Sequence, residues 1–181
     1  TIRTVIDGQQ RLTTLQLLLD AVCEQVELLG LPPLAQQVRD LVENPEHFCA
    51  GQEDRYKVWP TNRDREAFNE VMSAQPPIAY STLVNSRSRM AHAHKYFADE
   101  ARTWIEEADT EVRAHALTQA VSTAMQLVVI DLQQDEDAQE IFETLNARGT
   151  PLTPADLIKN FVFQRLDAAP GAAEAAYEKY W

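Results

Sequence analysis

Asp7, Gly8, Gln9, Gln10 and Arg11 stand between a short apolar stretch and a long periodic one. That order reads as strand, glycine turn, helix start. A helix start exposes unpaired N–H groups and carries a partial positive charge. Gly8 lets the backbone approach a ligand with no Cβ in the way. Arg11, in the first turn, offers a planar fork of donors that matches phosphate. Thr13 and Thr14 add hydroxyl groups nearby. Together these types suit an anion, foremost the phosphates of a nucleotide. Asp7 would stand at the edge of such a site, where a carboxylate can hold Mg²⁺ through water or orient an attacking water. A plainer reading, which the residues alone favour, makes Asp7-Gly8 a turn, Asp7 a helix cap and Arg11 a solvated side chain. The spaced Gly-Lys-Ser/Thr pattern of the Walker motif is missing.

A second constellation lies in FETLNARGTPLTPADLIKNFVF, residues 142–163. Asn146, Arg148 and Gly149 fall in a helix-ending turn. Thr153, Pro154 and Asp156 then read as cap, first-turn proline and third-position acid of a new helix. Its exposed N–H groups would make a second anion site. The plainer alternative is a helix–turn–helix with a C-cap glycine and a capping box, leaving Lys159 and Asn160 at the surface.

These groups need elements to hold them. Residues 2–7 read as a short strand carrying Ile2, Val5 and Ile6. Leu12, Leu15, Leu19, Val22, Val26 and Leu29 define one helical stripe over residues 10–29, ended by Gly30 and the prolines at 32 and 33. Further helices are expected over 34–43, over 62–73 with Thr61 and Asp64 as a capping box, over 82–107 with Met90, Phe97, Ala101, Trp104 and Ile105 inward, and over 110–124 with Thr110 as cap. Residues 44–60 read as a loop with an extended piece at 56–59. QLVVIDL, residues 126–132, is β-branched and reads as the second strand. Helices over 135–147 and 153–166 follow. Pairing of the two strands would bring residues 7–11 beside Asp131 and the 146–149 turn, forming one site from two segments.

The chain has 181 residues and a formal net charge of −12, which repels phosphate backbones, so non-specific DNA binding by this piece alone is not expected. Two cysteines, Cys23 and Cys49, fit a reducing cytoplasm better than a disulfide framework or a zinc knuckle. No apolar run approaches the roughly 20 residues of a membrane span. A strand at the very start and a helical pattern running to the last residue read as an internal piece of a longer protein. His92 and His94, two apart, point to different helix faces and do not read as a metal pair. The basic stretch at 86–95 and the acidic one at 134–140 read as solvated helix faces. Trp59, Trp104 and Trp181 read as packing residues.

TVIDGQQRLTTL, residues 4–15, and the 142–163 segment, with YKVWPTNRDREAF at 56–68 between them, resemble the DGQQR family. That is the N-terminal domain of GmrSD-type modification-dependent restriction enzymes, a branch of the ParB/sulfiredoxin-like superfamily. The resemblance spans nearly the whole chain in the right order. It implies an α+β, mainly α fold: a small remnant sheet of a ParB-like subdomain followed by a helical bundle. On this division residues 1–30 are the motif strand and helix, 31–125 a helical region, 126–166 the second strand and second motif, and 167–181 the start of a further helix. It also implies a domain that binds and hydrolyses an NTP with Mg²⁺, in a defence enzyme that restricts modified foreign DNA and reaches that DNA through other domains. By the resemblance Asp7 and Arg11 are catalytic, and Gly8, Gln9, Gln10, Arg11, Thr14, Asn146, Arg148 and Gly149 bind the nucleotide. A non-catalytic, ParB-like nucleotide-responsive switch or scaffold is the alternative.

Overall fold

The computed structural model describes residue 5, residues 8–129, and residues 176 and 179. The chain divides into two compact units, Thr1–Val129 and Ile130–Trp181. In the second unit Ala176 and Lys179 are helical, and the expected helices over 135–147 and 153–166 lie outside the described residues.

The described residues of the first unit form five α-helices: α1 (Gln9–Leu28), α2 (Pro32–Val42), α3 (Asn62–Met72), α4 (Arg89–Glu106) and α5 (Thr110–Gln119). α1 is the central member, with α2 and α4 packed along it. This is why the single stripe expected for α1 is too narrow. Leu17, Ala21, Val22, Cys23, Glu24, Gln25 and Val26 are all buried, whereas Leu29 is 39% exposed. A helix sandwiched by two neighbours buries more than one face.

α1 ends on Gly30, whose φ of 72° is the left-handed conformation. Gly30 N donates to Glu27 O at 2.9 Å and Leu31 N to Val26 O at 3.4 Å, the paired bonds of a Schellman turn. The prolines expected only to stop α1 in fact start α2, at its first two positions, where a missing N–H costs nothing. α3 follows the expectation in extent, but Thr61 makes no side-chain cap. Asp64 N instead bonds Thr61 O at 2.9 Å. The long helix expected from residue 82 begins at Arg89, because Ser88 caps it by accepting from Ala91 N at 3.1 Å. Ahead of it the chain forms a short 3₁₀ turn, Tyr80–Thr82. α5 is capped by Asp109, which accepts from Val112 N at 3.0 Å, rather than by Thr110. Its continuation, Ala120–Ala124, is a π turn.

Two apolar clusters hold these helices. Val22, Cys23, Val26, Ala35, Val38, Ala101 and Ala114 join α1, α2, α4 and α5. Leu17, Val42, Tyr56, Phe68, Val71 and Met72 join α1, the end of α2, the intervening loop and α3. Trp104, expected inward, is 37% exposed and lies under the Arg113 guanidinium, 4.3 Å from the ring centroid.

The mainly helical character is as expected, but no sheet is found among the described residues. The one β pairing there is an isolated antiparallel bridge, Glu43 to Tyr56, with Asn44 N to Arg55 O at 2.8 Å and Lys57 N to Val42 O at 3.0 Å. Of the first expected strand only Val5 is described. In the second, residues 126–129 belong to no strand, and Leu127, Val128 and Val129 are 63%, 92% and 69% exposed. β-Branched residues favour extended backbone, but a strand also needs a partner for its N–H and C=O groups.

Candidate functional site: the start of the first helix

α1 begins on Gly8, whose φ of 92° and ψ of 5° place it in the left-handed region. Leu12 N donates to Gly8 O at 2.9 Å and closes the first turn. The Arg11 side chain folds back over this glycine. A Cβ on Gly8 would lie 3.4 Å from Arg11 Nη2 and 3.7 Å from both Cζ and Nε. Glycine is favoured here for its backbone conformation, since a Cβ would meet the guanidinium only at ordinary contact distance. No acidic side chain occupies the first turn of α1 itself.

The neighbouring side chains are tied more tightly than their sequence suggests. Gln9 Nε2 donates to Trp59 O at 3.0 Å. Thr13 Oγ1 donates to Gln9 O and Thr14 Oγ1 to Gln10 O, each at 2.9 Å, so both hydroxyl protons are used inside the helix and only the oxygens can accept. Thr13 is buried and Thr14 exposed. Gly8, Gln9, Gln10, Arg11 and Thr14 are thus gathered at one helix end. Asp7, Asn146, Arg148 and Gly149 lie outside the described residues, as does the expected junction of the two turns.

Trp59, read from the sequence as a packing residue, does pack, and it also reaches the motif. Its indole sits edge-on to Tyr56 (centroids 5.2 Å apart) and tilted against Phe68 (5.7 Å). Trp59 Nε1 donates to Glu53 O at 2.7 Å. The Arg65 guanidinium lies 5.0 Å from its ring centroid. The loop before α3 is fixed by this cluster, and its backbone carbonyl in turn fixes Gln9.

A buried polar chain elsewhere in the bundle was missed. His94 is fully buried. Its Nε2 is 3.0 Å from Asp20 Oδ2 and its Nδ1 is 2.7 Å from Tyr80 Oη. Glu24 accepts from Tyr80 Oη at 3.3 Å and from Ile78 N at 3.0 Å. Burial, followed by the charge of Glu24, raises the Tyr80 phenol well above its ordinary value. The signal was in the spacing: Ala91, His94, Ala98, Ala101 and Ile105 form the buried stripe of α4, and His94 is a member of it. Asp20 lies twelve residues along α1 from Gly8, about 18 Å at 1.5 Å per residue, so this chain is separate from the helix start.

Asp20 and Glu24 also border a cleft of about 150 Å³ with Glu27, Glu43, Arg39 and Arg55. Two of its four carboxylates are paired with its two guanidiniums. Arg39 pairs with Glu27, and Arg55 with Glu43 at 2.8 Å. Burial pushes the Cys23 thiol on its wall up to about 11, partly offset by Arg39. Among the described residues no group of three or more His, Cys, Asp or Glu could hold a metal ion, and no helix is long and apolar enough to cross a membrane.

A sequence model of the GmrSD restriction endonuclease N-terminal domain matches residues 1–163. The chain finds no match among curated proteins or solved structures.

Proposed function

The chain belongs to the GmrSD restriction endonuclease N-terminal domain family, and from that premise we propose that it is the NTP-binding and NTP-hydrolysing module of an enzyme restricting modified foreign DNA. One observation carries the reading: the left-handed Gly8 at the start of a twenty-residue helix, with the Arg11 guanidinium folded against it and no acid in the first turn. Such a start offers backbone N–H donors, a positive helix end and a planar cation to the same anion. Gly8 and Gln10 would line the phosphates with Arg11, and Thr14 would join them by turning its hydroxyl from the Gln10 carbonyl. Asn146, Arg148 and Gly149 would contact the same nucleotide, on the resemblance of the 142–163 segment. Mg²⁺, held through water by Asp7, would neutralise charge on the transferred phosphoryl group, or Asp7 would orient the attacking water.

The net charge of −12 supports leaving DNA contact to other domains of the enzyme. The two free cysteines fit the cytoplasm, where foreign DNA would be met.

The test is phosphate release by the full-length protein. Asp7→Ala and Arg11→Ala should each abolish it while circular dichroism stays unchanged. Loss of a transition-state charge contact costs on the order of 3 kcal/mol, more than a hundredfold in rate. Wild-type turnover in either folded variant would refute the assignment. Nucleotide binding by the wild type without any phosphate release would replace hydrolysis by a nucleotide-responsive switch.

A further inference from the structure

His94 is fully buried, and a polar atom meets each of its ring nitrogens. Nε2 lies 3.0 Å from Asp20 Oδ2 on α1, and Nδ1 lies 2.7 Å from Tyr80 Oη in the 3₁₀ turn. The same hydroxyl lies 3.3 Å from Glu24 Oε2, while Glu24 Oε1 accepts from Ile78 N at 3.0 Å. Asp20, His94, Tyr80 and Glu24 are thus joined by three contacts, and each contact needs one proton to become a hydrogen bond. An ionised carboxylate only accepts, so the two ends supply none. Burial and the charge of Glu24 hold the Tyr80 phenol far above its ordinary value, so the hydroxyl keeps its single proton.

The remaining protons belong to the imidazole. With one ring proton, that proton sits on Nε2, because a bare nitrogen there would face the Asp20 lone pairs. Nδ1 is then an acceptor and takes the Tyr80 proton, at the shorter of the two distances open to that hydroxyl. Glu24 is left with Ile78 N alone. A second ring proton, taken from solvent onto Nδ1, makes the ring a double donor. Tyr80 Oη then accepts from Nδ1, its own proton turns to Glu24, and all three contacts are filled. Asp20 gives the ring its way to solvent, since its side chain is 21% exposed and borders the cleft with Arg39 and Arg55.

Among the described residues no other charged side chain is bonded to this ring. On α4 itself Asp99 acts only through space, on Tyr80. On α3 Glu70 is spent on the Val84 and Asn85 amides, and Arg63, Arg65 and Glu66 are exposed. On α5 Arg113 lies over Trp104, and Glu111 and His115 are exposed.

The choice made by the Tyr80 hydroxyl bears on the cleft. Residues 72–76 and Ile78 form one of its walls, and Glu24 on α1 faces them. The bonds from Ile78 N and Tyr80 Oη to Glu24 pin the end of that wall to α1. We infer that His94 is a proton-operated latch: its second proton hands the Tyr80 hydroxyl to Glu24 and clamps residues 78–80 onto α1, and loss of that proton frees this end of the cleft wall. The latch is independent of the nucleotide site at the start of α1.

An NMR pH titration of the full-length protein, labelled with ¹³C at histidine Cε1 and ¹⁵N in isoleucine, tests it, with exchange of the Ile78 amide measured at each pH and corrected for the intrinsic rate. In the wild type the His94 signal and Ile78 protection should change at one common midpoint. Protection should fall about tenfold on the high-pH side, the worth of one hydrogen bond to a charged acceptor. Tyr80→Phe keeps the ring and removes the hydroxyl, so Ile78 protection should stay flat at the wild-type high-pH level while His94 still titrates. His92→Gln, at an exposed position outside the chain of contacts, should keep the wild-type step. Ile78 protection that ignores the His94 step in the wild type would overturn the latch, as would a tenfold step that survives Tyr80→Phe. A His94 signal that does not change while the protein stays folded counts against it equally. A shift of the Ile78 signal with unchanged protection would report only the field of the new charge and would also refute the clamp.

Discussion

Replacing Gly8 by alanine separates backbone strain from steric contact at the head of α1. At φ 92° an L-residue brings its Cβ close to carbonyl oxygen, which costs about 1–2 kcal/mol. The added methyl would also stand 3.4 Å from Arg11 Nη2 and 3.7 Å from Cζ. Those are ordinary contact distances against the tip of a flexible side chain, so the clash adds little and strain dominates. For a chain of this size about 1–2 kcal/mol corresponds to a drop of about 3–6 °C in the unfolding midpoint. Gly8→Asn provides the control. It places a Cβ at the same point, so any clash is common to both variants, but asparagine tolerates left-handed backbone far better. Gly8→Ala should therefore be the less stable of the two, with the difference reporting strain alone. Far-UV circular dichroism during heating and urea titration measures both. Equal losses in the two variants would mean that contact, not backbone, sets the cost. A Gly8→Ala protein as stable as wild type would remove the left-handed turn from the argument altogether.

Three further outcomes follow from the same geometry. Glu70 accepts from Val84 N at 2.6 Å, Asn85 N at 2.8 Å and Asn85 Nδ2 at 3.0 Å, and these bonds, the Asn85 backbone first, hold its carboxyl below the usual range. A depressed folded value stabilises above the unfolded value of about 4.3 and is lost as pH falls through the folded one, so urea midpoints at neutral and acid pH should converge in Glu70→Gln relative to wild type. Cys23, buried with its thiol raised to about 11, should react with a thiol reagent only as fast as the protein opens, whereas half-buried Cys49 reacts first; two equally fast thiols would contradict the burial. His94→Ala removes one hydrogen-bond partner each from Tyr80 and Asp20 and opens a void in α4's buried stripe, and should lower stability by about 3 kcal/mol in urea titration.

Helix extents were legible because punctuation and periodicity are local. Gly30 ended α1 and residues 62–73 folded almost as read. Starts were less legible because competing caps lie close together: Ser88 won over the residues near 82, and Asp109 over Thr110. Faces were read worst where a helix has two neighbours, as α1 does, since periodicity shows one stripe and not how many partners arrive. The expected sheet is not confirmed among the described residues, for a related reason. Residues 126–129 have the propensity of a strand, and propensity does not supply a pairing partner. At the candidate site the glycine and arginine were evident from their types. The Gln9 bond to a carbonyl fifty residues on, and the Arg65 stack behind it, depend on tertiary placement that spacing does not encode.

The Schellman turn at Gly30 also bears on the order in which the molecule can assemble. α1 and α2 are joined by three residues, so their shared contacts close at almost no cost in chain entropy. Bringing α4 onto α1 instead closes a span from Leu28 to Arg89. That is a little over four doublings of loop length, at about 0.6 kcal/mol each, or roughly 2.6 kcal/mol more. The α1–α2 hairpin is therefore the cheap nucleus, and it already carries the Gly8–Arg11 turn at its free end. The Asp20–His94 bond, which spans 74 residues, can form only in the late, slow closure. Barriers to folding should respond to changes in the hairpin, and the rate of unfolding to changes around His94.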